Sequence, residues 1–200
     1  MILKEEKQDK FPVAEQGIFQ AICVGVYDLG THYTQQFDKW SRDVLILFEL
    51  PTERLNFVND KGENVSAPRL LSKRYTASLH EKSTLRKDLQ AWRGRAFTDE
   101  ELGGFDTHNL LGKNCMVQVM HAKTQSGNVF AKISTILPLM KNFTAMESET
   151  KMIHYDMRED NEIPAGIQSW IQKIIESSKE LGEQVDPAPK EDTNTSDIPF

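Results

Sequence analysis

Aromatic rings interleaved with cations are the groups in this chain best suited to chemistry. Residues 32–40 carry Tyr33, Phe37 and Trp40 beside Lys39, with Arg42 just beyond. Flat rings stack on nucleobases, worth ~1–3 kcal/mol per base, while cations beside them track phosphates. The same pairing recurs at Lys73, Arg74 and Tyr75, and again at Lys123, Phe130 and Lys132. Lys73 and Arg74 are sequence neighbours on an expected strand, so their side chains point to opposite faces and only one reaches a common groove. Trp40 and Phe130 are open between stacking and packing. Trp92 reads as core, and Arg86, Lys87, Arg93 and Arg95 read either as a solvated helix face or as phosphate contacts.

Other chemistries find little support. Gly112-Lys113-Asn114 lacks the earlier glycine and the hydroxyl of a phosphate-binding loop. His32, His80, His108, His121 and His154 are scattered, with no spacing that suits zinc. The carboxylates form no nuclease-like cluster on expected strands. His80-Glu81 is the only suggestive acid–base neighbour pair, and it reads as turn residues. No catalytic residue, metal ligand or cofactor is expected, and the chain is read as a non-enzyme.

The net charge of -6 argues at first against a polyanionic partner. Its distribution reverses that reading. Residues 69–95 hold eight cations against Glu81 and Asp88, whereas residues 181–200 hold five carboxylates against Lys190. Such segregation is more informative than the total. No run approaches the ~18 apolar residues of a membrane span. The charged start, Met1 to Lys10, does not read as a signal peptide. Cys23 and Cys115 sit in apolar runs and are expected as buried thiols in a reducing, cytoplasmic setting.

The elements that must position these groups are mostly strands. Residues 17–27 are apolar and β-branched on both alternations, which predicts a strand covered on both sides. Further strands are expected at 43–50, 70–79, 114–121 and 128–137, with a small hairpin around Asn59-Asp60-Lys61-Gly62. Leu85, Leu89 and Trp92 at i, i+4 and i+7 predict a helix over 82–92, capped by Ser83 or Thr84 and ended by Gly94. A short helix is expected from Thr98. A helix between the third and fourth strands of five is the order of the OB-fold barrel. Another small barrel, or a β-sandwich with one inserted helix, remains open.

The expected organisation is an N-terminal arm (1–14), an OB-fold-like domain (15–140), an irregular connection (141–162), a C-terminal amphipathic helix (163–181) and a disordered acidic tail (182–200). Ile163, Ile167, Trp170, Ile171, Ile174, Ile175 and Leu181 form the helix's apolar stripe. That stripe packs on its own barrel or on a sister subunit, so a homodimer is one expectation. The tail's composition predicts disorder, and its end, Asp197, Ile198, Pro199 and Phe200, suits a short ligand. Phe200 can fill a pocket while carboxylates pair with surrounding Arg or Lys.

Asp197-Ile198-Pro199-Phe200 resembles the C-terminal tip of bacterial single-stranded DNA-binding proteins, which implies recruitment of replication and repair proteins. The body lacks the N-terminal sequence pattern of those bacterial proteins. It resembles instead a group of phage-encoded replication-associated proteins. The resemblance is carried by Leu110 to Cys115 with the strand pair after it, by Ile163 to Ile167, and by Trp170, Lys173-Ile174 and Ser177. It implies an OB-type body that binds single-stranded DNA in the cytoplasm of a bacterial host. Two other readings compete with it: a protein-only adaptor whose tail competes for partners of the host's DNA-binding protein, and a nuclease whose site forms only in the fold.

Overall fold

A computed structural model describes residues 12–35, 38–59 and 61–182. The fold is mainly β. A six-stranded sheet comprises β1 (Gly17–Thr34), β2 (Lys39–Val58), β3 (Asn64–Thr76), β4 (Asn114–Lys123), β5 (Val129–Pro138) and β6 (Ile153–Tyr155). Its order is β3-β2-β1-β4-β5, antiparallel throughout, and β6 adds to β1 in parallel. Among the described residues three α-helices accompany it: α1 (Thr84–Arg93), α2 (Asp99–Gly103) and α3 (Ser169–Glu176).

β1 and β2 carry the core because both of their faces are covered. Ala21, Cys23 and Val26 join Val44, Ile46, Phe48 and Trp92 in one apolar cluster. Ile22, Val24 and Tyr27 join Leu45, Leu47, Ile171 and Ile175 in a second. The parity of β1 switches between Cys23 and Val26 because a register shift lies between Cys23 and Gly25. A β-bulge inserts one residue and turns every later side chain to the other face. Strict period-two alternation along the sequence cannot anticipate this.

The strands run longer than their sequences suggest. Residues 32–34 and 39–40, which lie between the expected strands, extend the β1–β2 hairpin. β2 continues through Pro51, and the ladder accommodates it with a register shift between Leu50 and Arg54. The separate small hairpin is therefore the far end of β2–β3, where Phe57 pairs with Val65.

α1 follows its sequence signals closely. The Ser83 hydroxyl accepts from the Arg86 amide, Gly94 ends the helix at φ 67°, and Leu85, Leu89 and Trp92 are buried. Thr98 and Glu101 form a capping box on α2. The C-terminal helix is shorter than the 163–181 expected, spanning eight residues. Pro164 and a left-handed Gly166 (φ 98°) keep the preceding residues out of it. Ile167, Ile171 and Ile175 are buried on the chain's own sheet, while Trp170 and Leu181 remain exposed.

The connection at 141–162 is less irregular than expected, because it supplies β6. Glu49, which has no solvent exposure, fastens it to the sheet. Its two carboxylate oxygens accept the amides of Glu149 (3.0 Å) and Thr150 (2.7 Å). Farther along, the Glu180 carboxylate accepts from the Thr31 amide and hydroxyl, both at 2.7 Å. Both thiols are buried and unbridged. Burial pushes the Cys23 thiol up to about 12 and raises that of Cys115 further. No helix among the described residues is long and apolar enough to cross a membrane.

Candidate functional site

The structure sorts the ring-and-cation residues into separate groups. The first lies at the β1–β2 tip, where Tyr33 pairs with Trp40 across the ladder. Their rings lie 5.5 Å apart at a tilt of 55°, and Trp40 is 38% exposed. The Tyr33 hydroxyl donates to Asp38, which raises the Tyr33 pKa above its ordinary value. Lys179 Nζ sits 5.0 Å from the Trp40 ring centre, a cation–π contact from the C-terminal segment. Arg42, on the same face as Trp40, is committed elsewhere. It forms a two-pronged pair with Asp28, and its Nη1 stands 3.7 Å from Glu180. Phe37 falls outside the described residues, as do Asp197, Ile198, Pro199 and Phe200.

The second group lines a cleft of about 610 Å3 at the end of β2–β3, walled by Lys39, Arg74, Thr76, His80 and Lys82. Alternation places Lys39 with Ser41 and Asp43, on the face opposite Trp40. Arg74 donates to Asp43 at 2.7 Å yet keeps 41% of its side chain exposed. The serine and threonine hydroxyls along this wall add neutral donors. Lys82 and His80 were not singled out from the sequence as site residues, although Lys82 belongs to its basic segment.

Lys73 and Tyr75 are not surface groups. Tyr75 is only 4% exposed and donates to Asp88 at 2.9 Å. Burial is the chief cause that raises its pKa, and Asp88 adds to it. Lys73 turns to the same side, with Nζ 2.7 Å from Asp88 and 2.9 Å from the Ser134 carbonyl. Of the Lys73/Arg74 neighbours, expected to send only one side chain to a common groove, Arg74 is the exposed one and Lys73 the buried one. The expectation of a stacking role for Tyr75 fails because its ring packs inside.

A third group is the β4–β5 hairpin. Phe130 and Lys132 are two apart on β5 and share a face with Met120 and Ala122, their partners on β4. Phe130 and Met120 are each 43% exposed and Lys132 is exposed beside them; Lys123, which pairs with Val129, is exposed on the opposite face of the hairpin. Neither lysine has an ionic partner among the described residues. β4 pairs with the Gly17 end of β1, whereas the Tyr33–Trp40 tip lies at the other end. The two hairpins thus mark opposite ends of the long first strand.

Much of the basic segment is consumed locally. Arg69 donates to the Pro12 carbonyl, Arg86 to Gln90 and the Leu79 carbonyl, and Arg93 and Arg95 pair with Glu101. Lys82 and Lys87 have no ionic partner among the described residues.

A pocket of about 200 Å3, open to solvent at its rim, lies between β1–β2, α1 and the turn after β6. Its floor is apolar, with Val26, Val44 and Leu89, and its rim charges are matched. Arg42 faces Asp28, and Arg158 holds the Asp156 carboxyl down at about 2. His154 Nε2 lies 3.0 Å from the Thr107 hydroxyl there. Among the described residues no group of three or more His, Cys, Asp or Glu could hold a metal ion. No protein-family model matches this chain, and no curated protein matches it.

Proposed function

We propose that this chain binds single-stranded DNA without sequence preference and acts in phage DNA replication, recombination or repair. The observation that carries this reading is the exposed Phe130 beside Lys132, backed by Met120, with Lys123 near the hairpin tip on the other face. An aromatic face next to a cation with no ionic partner among the described residues suits a stacked base and its phosphate. The cleft walled by Lys39, Arg74 and Lys82 supplies a second stretch of positive surface, and Trp40 offers a further ring.

The strand order and the placement of α1 between β3 and β4 support an OB-type barrel. The reach of Lys73 from β3 to Ser134 on β5 is in keeping with closure of the sheet. In such a barrel the outward faces of β3, β5 and β4 adjoin. Arg74, Lys132, Phe130 and Met120 would then belong to one surface. The acidic C-terminal segment, ending in Asp197, Ile198, Pro199 and Phe200, recruits replication or repair partners.

The protein-only adaptor is the second reading. It draws on Met140, Phe143, Met146 and Met152, which are exposed along one segment; flexible, polarizable side chains of this kind suit protein contacts. Titrating dT oligomers at low salt separates the two. Binding that weakens when Phe130→Ala is introduced supports the first reading, and no binding by the native chain leaves the adaptor.

A further inference from the structure

A cleft away from all of these groups lies where α1 ends against the turn at Thr107–Leu110. It measures about 450 Å3 and is walled by Trp92, Arg93, Arg95, Phe105, Asn109 and Lys113. Three of its lining side chains are cations, and Glu101 is the one carboxylate among them. Glu101 is fully engaged. It accepts from Arg95 at 2.7 and 3.0 Å, from Arg93, and from the Thr98 amide at 3.0 Å.

Glu101 leaves the cleft lining with two positive charges in excess. The Arg93 guanidinium lies over the rings of Phe97 and Phe105, at 4.5 and 5.5 Å, which fixes its plane. Its Nη1 is buried and finds no acceptor among the described residues, a costly state for a charged donor. The Lys113 main chain is pinned by hydrogen bonds to Leu110 and Cys23, both 3.1 Å. Its side chain is exposed and has no ionic partner among the described residues. The indole N–H of Trp92 is already used on the Asn114 carbonyl, so that ring offers only an apolar wall.

We infer that this cleft is a phosphate-binding site, with Arg93, Arg95 and Lys113 as its cationic ligands. Two guanidinium forks and one ammonium surround a tetrahedral, multiply charged oxyanion better than a planar carboxylate. The negative end of the α1 dipole opposes an anion here, so binding depends on the side chains. The phosphate comes either from the backbone of a bound strand or from a terminal or free phosphate. The site stands on its own geometry and does not require the interface proposed above.

The test uses the full chain, with inorganic pyrophosphate as the first probe and dT oligomers with and without a 5′-phosphate as the second. Calorimetry compares the native protein with Lys113→Gln, Arg95→Gln and, as a control on the same helix, Lys87→Gln. Each cleft variant weakens pyrophosphate binding about tenfold, the loss of one charge-assisted hydrogen bond, and Lys87→Gln leaves it unchanged. A strand running through the cleft lowers the log affinity–log salt slope for dT by about one in Lys113→Gln. A 5′-phosphate requirement identifies the terminal source instead. Pyrophosphate binding that depends on Lys113 without any dT binding supports the site and removes the single-strand reading. Native-like binding of every probe by both cleft variants, or no phosphate binding by the native chain, overturns the inference.

Discussion

Lys73 and Asp88 meet at 2.7 Å on the inner side of the sheet, tying β3 to α1. Each side chain is more than four-fifths buried, and both hold a second bond, Lys73 to the Ser134 carbonyl and Asp88 to the Tyr75 hydroxyl. A cation in this position serves the fold. Lys73→Met is expected to cost about 2 kcal/mol by stranding a carboxylate, measured by urea denaturation. The salt slope of dT binding is expected to stay unchanged. A slope lowered by one would make Lys73 a phosphate ligand.

Glu49 gives a second, independent prediction. Its two oxygens cap the amides of Glu149 and Thr150. Glu49→Gln keeps one acceptor but turns an N–H2 group toward an amide donor. The expected cost is about 1–3 kcal/mol, with faster amide exchange at Glu149 and Thr150. Protected amides at both positions in the variant would contradict the role assigned to Glu49.

Legibility from the sequence followed the range over which each signal acts. α1 could be read in full because Ser83, Leu85, Leu89, Trp92 and Gly94 are local and mutually consistent. The double cover of β1 was visible in its unbroken apolar run. The bulge at Gly25 was not, since it depends on pairing with β2. The run of Ile167, Ile171 and Ile175 was read correctly as an apolar stripe, but Pro164 and Gly166 set the start of α3 later than its periodicity suggests. Charge misled most. Lys73 and Arg86 look like surface cations in one dimension, yet Asp88 and Gln90 hold them in three. Phe130 and Lys132 were legible because period-two alternation puts them on one face without any further information.

Gly30 joins the C-terminal segment to β1. It has φ +76°, and a Cβ there would lie 2.5 Å from the Ser178 Cβ. Gly30→Ala therefore combines left-handed strain with a clash, and is expected to cost more than about 2 kcal/mol. The thermal midpoint measures the loss. Limited proteolysis near Glu180 checks that the segment is what comes away. An unchanged midpoint would mean that Ser178 and Glu180 yield at little cost.

Acid stability follows from two carboxylates. The Arg95 guanidinium, with the Thr98 amide, holds the Glu101 carboxyl down at about 2, and Arg158 does the same for Asp156. Depressed folded-state pKa values mean that the unfolded chain binds more protons. The contribution is complete above the ordinary carboxylate range and is lost as pH falls through about 2. Glu101→Gln combined with Asp156→Asn is expected to flatten the fall in thermal midpoint between about pH 4 and 2. An equally steep fall in the double variant would assign acid sensitivity to other groups.

The central claim is that Phe130 and Lys132 form a stacking and phosphate contact for single-stranded DNA. The most direct measurement is titration of the native chain, Phe130→Ala and Lys132→Gln with dT oligomers of increasing length at two salt concentrations. Salt-sensitive binding by the native chain is the expected result. Phe130→Ala loses about 1–3 kcal/mol, and Lys132→Gln has a salt slope lower by about one. Native affinity and slope in both variants, or no binding of any oligomer by the native chain, would contradict it.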